Sequence, residues 1–272
     1  MSRELNGAEL VSFIKERQAK QVRNLRQQYH VTPKLVVFMR ADAPQTSEVY
    51  VRMKQRYADD IGIEVDVVRT EEKSLTAQIN ATNNDSNVHG IIVQLPLKDA
   101  SQTQEICEKI DSKKDVDGLG SHATYPSATA EAIEWLLAGY NVELSGRRIA
   151  IVGHGKLVGA PLAAMWTKHG YDVTVIDVDT PRAQQLIHSS DVVVSATGVP
   201  RVLKGSDIKE GGIVVDAGTA TENGVLVGDA DESLRARDDI AITPVKGGVG
   251  PLTVAVLFDH VIQSALRVAL DK

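Results

Sequence analysis

The chain is predicted to be α/β, with two mainly parallel sheets covered by helices. Three observations predict this. Short Val- and Ile-rich runs alternate with segments of helical spacing, the alternation breaks once near the middle, and it resumes at a glycine-rich turn. In order, 9–28 has the helical spacing and charged remainder of a surface helix, and 35–39 is an unbroken apolar run expected of a buried strand. Residues 47–60 are predicted as a helix ended near Gly62, 63–68 alternates as a strand, 74–83 is helical, 91–93 is a strand and 101–110 a helix. The stretch 111–127, rich in glycine and small polar residues, is predicted as a functional loop. The helix 129–139 then leads to strands at 148–152, 172–176, 192–194 and 213–216, with a helix over 157–169 between the first two. A last helix, 253–270, carries Val254, Leu257, Val261, Ala265 and Val268 at helical spacing, so it must pack against something.

Bulk properties narrow the function. The 272 residues suit two modest domains or one large one, and 43% hydrophobic residues can fill a core. Aromatics are only 4%, so that core must be built from Val, Ile, Leu and Ala. A net charge of −6 argues against nucleic acid or an anionic membrane as partner, since both select basic surfaces. No apolar run approaches the roughly 20 residues that span a bilayer, and the first residues lack the apolar stretch of a secretory signal. Cys107 is the only cysteine, which excludes an internal disulfide and a cysteine metal cluster and suggests a small buried hydrophobe. A cytoplasmic protein is expected.

The chemistry begins at Gly153-His154-Gly155, with Gly159 behind it. The turn follows a strand and opens a helix, the arrangement that lets backbone approach a pyrophosphate at a helix N-terminus. The next strand ends on Asp177, at the spacing of an acid that hydrogen-bonds ribose hydroxyls. Dinucleotide binding on a Rossmann-like domain is therefore expected, and the large segment before the turn must do something else.

Tyr50 and Lys54 stand four apart on a predicted helix and share a face, where a phenol beside an ammonium invites proton transfer. An exposed charged face is the bland alternative, since Glu48, Arg52, Gln55 and Arg56 belong to the same segment. Short-chain dehydrogenases use this Tyr-x-x-x-Lys spacing, but after their glycine turn; here the pair comes about a hundred residues before it. Gln94 ends a buried strand, at the sheet edge where α/β proteins place ligands; satisfying loop backbone is its other role. Asp115 and Asp117 alternate in the irregular loop, as turn acids, as a substrate hydrogen-bonder, or as metal ligands without a supporting cluster. The seven histidines have no ligand spacing, so no metal is expected.

Taken in order, these segments resemble the bifunctional methylenetetrahydrofolate dehydrogenase/cyclohydrolase family. The resemblance rests on Ser47-Glu-Val-Tyr50-Val-Arg-Met-Lys54, Gly90-Ile-Ile-Val-Gln94-Leu-Pro-Leu97, Lys114-Asp-Val-Asp117-Gly118, Ile151-Val-Gly-His-Gly-Lys-Leu-Val-Gly159-Ala-Pro161, Ser195-Ala-Thr-Gly198 and Thr243-Pro-Val-Lys-Gly-Gly-Val-Gly-Pro-Leu-Thr253. It implies a catalytic, folate-binding domain over 1–126, joined by a returning C-terminal helix over 253–272, and a Rossmann-like NAD(P)-binding domain over 127–252. It implies a homodimer, with tetrahydrofolate substrate in the cleft between domains. The implied reactions are oxidation of 5,10-methylenetetrahydrofolate to the methenyl cation and hydrolysis of that cation to 10-formyltetrahydrofolate.

By the same resemblance Lys54 is the acid/base of the hydration steps, Gln94 holds it, Tyr50 stacks on or orients the folate and Asp117 grips the pterin. Val93, Leu95, Gly247, Gly248 and Pro251 would line the substrate, and Gly153, His154, Gly155, Val158, Asp177, Gly198 and Thr219 the cofactor.

Three departures stand out. The family's turn reads Gly-Arg-Ser, its arginine facing a 2′-phosphate, and its His-Ser after the second strand is Asp177-Val178 here. A carboxylate there suits a free ribose diol and repels a phosphate, so NAD is expected over NADP, with Lys156 and Arg182 as the cations that could reach a phosphate. The segment between Gly118 and Thr129 is short, with Ser127-Ala-Thr129-Ala130 for the family's Pro-Cys-Thr-Pro, and Lys246 replaces a proline. These changes leave two alternatives: a folate dehydrogenase with weak or lost cyclohydrolase activity, and a shikimate-type NAD(P) dehydrogenase on another small substrate.

Overall fold

The computed structural model describes residues 3–222 and 225–271. In chain order the elements are β1 (Arg3–Glu4), α1 (Gly7–Gln28), β2 (Lys34–Arg40), α2 (Gln45–Ile61), β3 (Glu64–Thr70), α3 (Glu72–Asn83), β4 (Gly90–Val93), α4 (Thr103–Cys107) and α5 (Ala128–Gly139). They continue with β5 (Arg148–Val152), α6 (Gly159–Lys168), β6 (Asp172–Ile176), α7 (Ala183–Ser189), β7 (Val192–Ser195), β8 (Ile213–Asp216), β9 (Ala220–Glu222), β10 (Val225–Val227), α8 (Glu232–Arg235), β11 (Ala241–Ile242) and α9 (Val249–Leu270). The chain divides into two compact units, one of residues 12–128 with 254–272, the other of 1–11 with 129–253.

The first unit is built on a three-stranded parallel sheet in the order β3-β2-β4. The run Leu35 to Met39 is buried throughout because β2 is central and covered on both faces. β3 alternates because it is an edge. Gly62 ends α2 in the left-handed conformation, its N–H donating to the Ala58 carbonyl, as its position after the last helical residue anticipates. Val36, Phe38, Leu75, Ile79, Ile91 and Ile106 form the core, and buried Cys107 lies beside it. The helix expected over 101–110 is broken, a 3-10 turn at Ala100–Gln102 followed by the five residues of α4. Asp99 makes the break by accepting from the Ser101 N–H and hydroxyl.

α9 completes this unit. Phe258, fully buried, stacks on Tyr57 of α2 with ring centroids 5.4 Å apart. Asp259 accepts from Arg17 at 2.7 Å and Gln18 at 3.2 Å on α1, and Gln18 in turn accepts from the Tyr57 hydroxyl at 2.7 Å. One expectation needs correction here: α9, at 22 residues, is long and apolar enough to cross a bilayer by length and composition. It is a core helix instead, with 72% of its apolar window buried. Its start also lies four residues earlier than expected, because the glycine run itself coils into the first turn.

The second unit holds a six-stranded sheet in the order β1-β11-β8-β7-β5-β6, parallel at every pairing. Ala150, Val152, Ile176, Val193, Val214 and Leu234 belong to its core. Its edge strand is the start of the chain, which the sequence had placed with the catalytic segment. Arg3 and Glu4 pair with Ala241 and Ile242, and the Leu5 N–H extends the ladder to the Ile242 carbonyl. Two residues are too short to show a period, so the strand had no signal of its own. β9 and β10 form a separate antiparallel ribbon.

Candidate active site

Two constellations emerge, one in each unit. In the first, Lys54 lies on α2 one turn beyond Tyr50, and its ammonium donates to Gln94 Oε1 at 2.8 Å. Gln94 follows β4 directly, and its backbone N–H continues the ladder to the Phe38 carbonyl. Its own amide donates to the Leu95 carbonyl at 3.0 Å. A carbonyl only accepts, so this bond fixes which end of the amide faces the lysine. Val93 is buried behind it. Tyr50, 36% exposed, offers its ring to solvent on the same helix.

The loop after α4 brings Asp117 to the same place. Burial pushes the Lys54 ammonium below the ordinary lysine range, with the Asp117 carboxylate pulling it back up. Burial pushes Asp117 upward, opposed by the charges of Lys54 and His260. Each group therefore favours the charged form of the other, while desolvation favours both neutral. Asp115 has the turn role that was one of its alternatives. It accepts from the Gly118 N–H at 3.0 Å and the Gly120 N–H at 2.7 Å, and burial raises its carboxyl to about 6 despite those bonds. The short segment after Asp117 doubles back so tightly that a Cβ on Gly118, at φ +68°, would stand 2.2 Å from the Pro126 carbonyl oxygen. The Ala128 N–H then closes on the Asp117 carbonyl at 3.0 Å.

The second constellation lies along the carboxyl edge of the six-stranded sheet. β5 has β6 on one side and β7 on the other, so the order of the strands reverses beside it, where open α/β sheets bind ligands. Gly153 leaves β5 at φ +97° with its N–H on the Ile176 carbonyl at 2.8 Å, next to Asp177. A Cβ on Gly159 would stand 1.9 Å from the Gly153 carbonyl oxygen, so α6 starts flush against the turn. His154 and Gly155 are exposed above it, Gly155 has no atom within 4 Å of where a Cβ would be, and Val158 caps the ten-residue α6. Open backbone at a helix N-terminus fits a pyrophosphate. Gly198 after β7 and Thr219 after β8 also meet, with a Gly198 Cβ 3.7 Å from the Thr219 carbonyl oxygen.

Asp177 is exposed but ordered. Its Oδ1 accepts from the Thr180 hydroxyl at 2.7 Å and the Asp179 N–H at 3.1 Å, and its own N–H donates to Thr180 Oγ1 at 2.9 Å. The Thr180 hydrogen bond, above all, holds the carboxyl below its usual range. Gly247, Gly248 and Pro251 belong to this unit too. The Ala8 N–H donates to the Gly247 carbonyl at 2.9 Å, and Lys246 beside it is exposed.

Sequence reasoning missed Thr180 and His260. Thr180 gave the weak signal of a threonine three residues after an acid. His260 gave a better one, a lone imidazole three residues after Leu257 on the apolar stripe of α9. Among the described residues, no group of three or more His, Cys, Asp or Glu is placed to hold a metal ion.

Comparison with known proteins agrees with this division of labour. The tetrahydrofolate dehydrogenase/cyclohydrolase catalytic domain matches residues 5–117, and the NAD(P)-binding domain of the same name matches 127–269. Bifunctional protein FolD of Lacticaseibacillus casei is 37% identical over 254 residues, covering 88% of this chain and 89% of that protein. The crystal structure of the Campylobacter jejuni bifunctional FolD, 33% identical, superposes with a TM-score of 0.91 over 98% of this chain and 99% of the other. The Trypanosoma brucei enzyme, solved with NADP and an inhibitor, is 28% identical with a TM-score of 0.90, covering 98% of both chains. With its two domains matched in order over nearly the whole length, the chain belongs to the tetrahydrofolate dehydrogenase/cyclohydrolase family.

Proposed function

We propose that the chain oxidises 5,10-methylenetetrahydrofolate to the 5,10-methenyl cation with a nicotinamide dinucleotide, and hydrolyses that cation to 10-formyltetrahydrofolate. The observation that carries this is the Lys54 ammonium held on Gln94 and facing the Asp117 charge, in a chain of this family. The dinucleotide, when bound, supplies the acceptor for the hydride leaving the methylene carbon. That step needs alignment more than proton transfer. Hydrolysis needs both a base and an acid. Lys54, its pKa lowered by burial, takes a proton from the water adding to the methenyl carbon. It returns that proton to the folate N5 as the carbon–N5 bond breaks, and the hydroxyl proton leaves to solvent as the formyl carbonyl forms. Gln94 keeps the lysine nitrogen in one place through both transfers.

Asp117 supports folate binding by accepting from the pterin's N–H groups, and Tyr50 offers an aromatic face for stacking. Val93, Leu95, Gly247, Gly248 and Pro251 are the proposed lining of the substrate site. Retention of the Lys54–Gln94 bond favours a working cyclohydrolase over a dehydrogenase that has lost it. The domain matches leave the shikimate-type alternative without support. A homodimer working in the cytoplasm is part of the same reading.

For the cofactor we propose NAD. Asp177, its carboxylate held by Thr180 at the end of the second strand, has the position of the ribose-binding acid in the fingerprint, with His154 in the turn in place of an arginine. Initial rates of methylenetetrahydrofolate oxidation with NAD and with NADP, on wild type and Asp177→Ser, test this. Wild type should favour NAD, and the substitution should erode that preference by about tenfold or more. A wild-type preference for NADP would refute the Asp177 argument alone. Lys54→Met should lower methenyl hydrolysis by about 10²–10⁴-fold while costing oxidation far less. Equal loss of both activities would remove Lys54 from its assigned role, and no oxidation of folate by wild type would remove the function.

A further inference from the structure

The loop that carries Asp117 is fixed from two sides as well as by its own turns. On one side it lies along β4, where Ile91 bridges Asp115 in parallel and the Ile91 N–H donates to the Lys114 carbonyl at 2.8 Å. On the other side it lies along α9. The Ser264 hydroxyl donates to the Lys113 carbonyl at 3.1 Å, and His260 Nδ1 stands 2.8 Å from the Val116 carbonyl oxygen. That oxygen only accepts, so Nδ1 carries the hydrogen. Val116 is fully buried and immediately precedes Asp117. The imidazole is itself 1% exposed and stacks on Tyr125, with ring centroids 4.7 Å apart and planes 18° apart. The guanidinium of Arg267 covers the Tyr125 ring, 5.5 Å from its centroid.

A buried imidazole is a costly way to fill space on an apolar helix unless its polar atoms are used. Here one nitrogen holds the peptide that leads into Asp117, and the ring is buried against Tyr125. We propose that His260 is a positioning residue for Asp117, setting the height and direction of its carboxylate through the Val116 carbonyl. The proposal rests on the reading of Asp117 as the folate-gripping carboxylate. His260 touches no reacting atom in this scheme; it acts by where it puts another residue.

The test is steady-state oxidation of methylenetetrahydrofolate by the full chain. His260→Phe keeps a flat ring against Tyr125 and removes the donor, His260→Asn keeps a donor of similar reach, and Asp117→Asn removes the carboxylate. His260→Phe should raise the folate KM about tenfold, the size of one lost buried hydrogen bond or about 1.4 kcal/mol. The dinucleotide KM should stay at the wild-type value, and His260→Asn should restore the folate KM to within about twofold. Adding His260→Phe to Asp117→Asn should make folate binding no worse, because the two act as one unit. If His260→Phe does not fold, His260→Ser, too short to reach the carbonyl, carries the same expectations. A wild-type folate KM in the His260 variant, an additive double variant, or a parallel rise in both KM values overturns the proposal. An unchanged folate KM in Asp117→Asn overturns the Asp117 reading itself, and the proposal with it.

Discussion

Lys54 and Asp117 press on each other's protonation in opposite senses to their burial. An anion near an ammonium favours the charged form, so removing it must lower the lysine's pKa further. Hydrolysis uses the neutral amine, so its kcat/KM should rise through the lysine's depressed pKa. In Asp117→Asn that rising limb should move to lower pH, whatever happens to the plateau. A limb that stays in place or moves to higher pH would show that the two groups do not interact as the structure has them. Tyr50 and Lys54 were legible as candidates from their shared helix face, and Gln94 and Asp117 because polar residues at strand ends and in irregular loops have few structural duties. The pairing of Lys54 with Gln94 came only from the family resemblance, not from spacing. Helical spacing pointed Lys54 toward Tyr50, whereas the structure gives it to Gln94, 40 residues away, because the end of β4 comes alongside α2. His260 stayed hidden for the opposite reason, as a polar residue inside an apolar stripe reads as filler until its partner carbonyl is seen.

The β5–α6 junction shows what an element must give up to serve a ligand. The turn holds no side chain where the strand meets the helix, and the helix begins against the Gly153 carbonyl. Gly159→Ala would put a methyl group 1.9 Å from that oxygen. Backbone cannot yield as a side-chain tip does, so the turn must open, at a cost of about 1–3 kcal/mol. We expect a lower Tm and a raised dinucleotide KM with the folate KM little changed; an unaltered dinucleotide KM would separate this turn from cofactor binding. Most elements were legible to within two or three residues, since β2, β5 and β8 are apolar runs and α2 ends on a glycine. The exceptions were those without a period to read. β1 and β11 have two residues each, β9 and β10 three, α8 four, α4 five after a 3-10 turn and α7 seven, and of these only α4 was anticipated. Asp99 and the glycine run at 247–248 shift helix starts through local hydrogen bonding and coiling that hydrophobic spacing does not record.

At the scale of the whole molecule, the two α/β arrays and the change between them were legible from composition and rhythm alone, since each needs its own core. The return of the last helix to the first unit was implied by the family resemblance; the placement of the first residues in the other unit was not. The first eleven residues belong with the nucleotide-binding unit, and the last nineteen with the unit that starts at residue 12. No periodicity announces such an exchange, because a helix face records that it is buried and not by what. The exchange bears on the order in which the two cores can close. The first strand pairs with a strand about 240 residues later, and the core around Tyr57 lacks Phe258 until about 200 further residues have followed. Neither unit is a continuous stretch, so each needs a segment from the far side of the other in sequence before its core is whole. The core around Tyr57 is therefore closed by a helix about 200 residues further along the chain, and a cut between the two would leave that apolar surface uncovered.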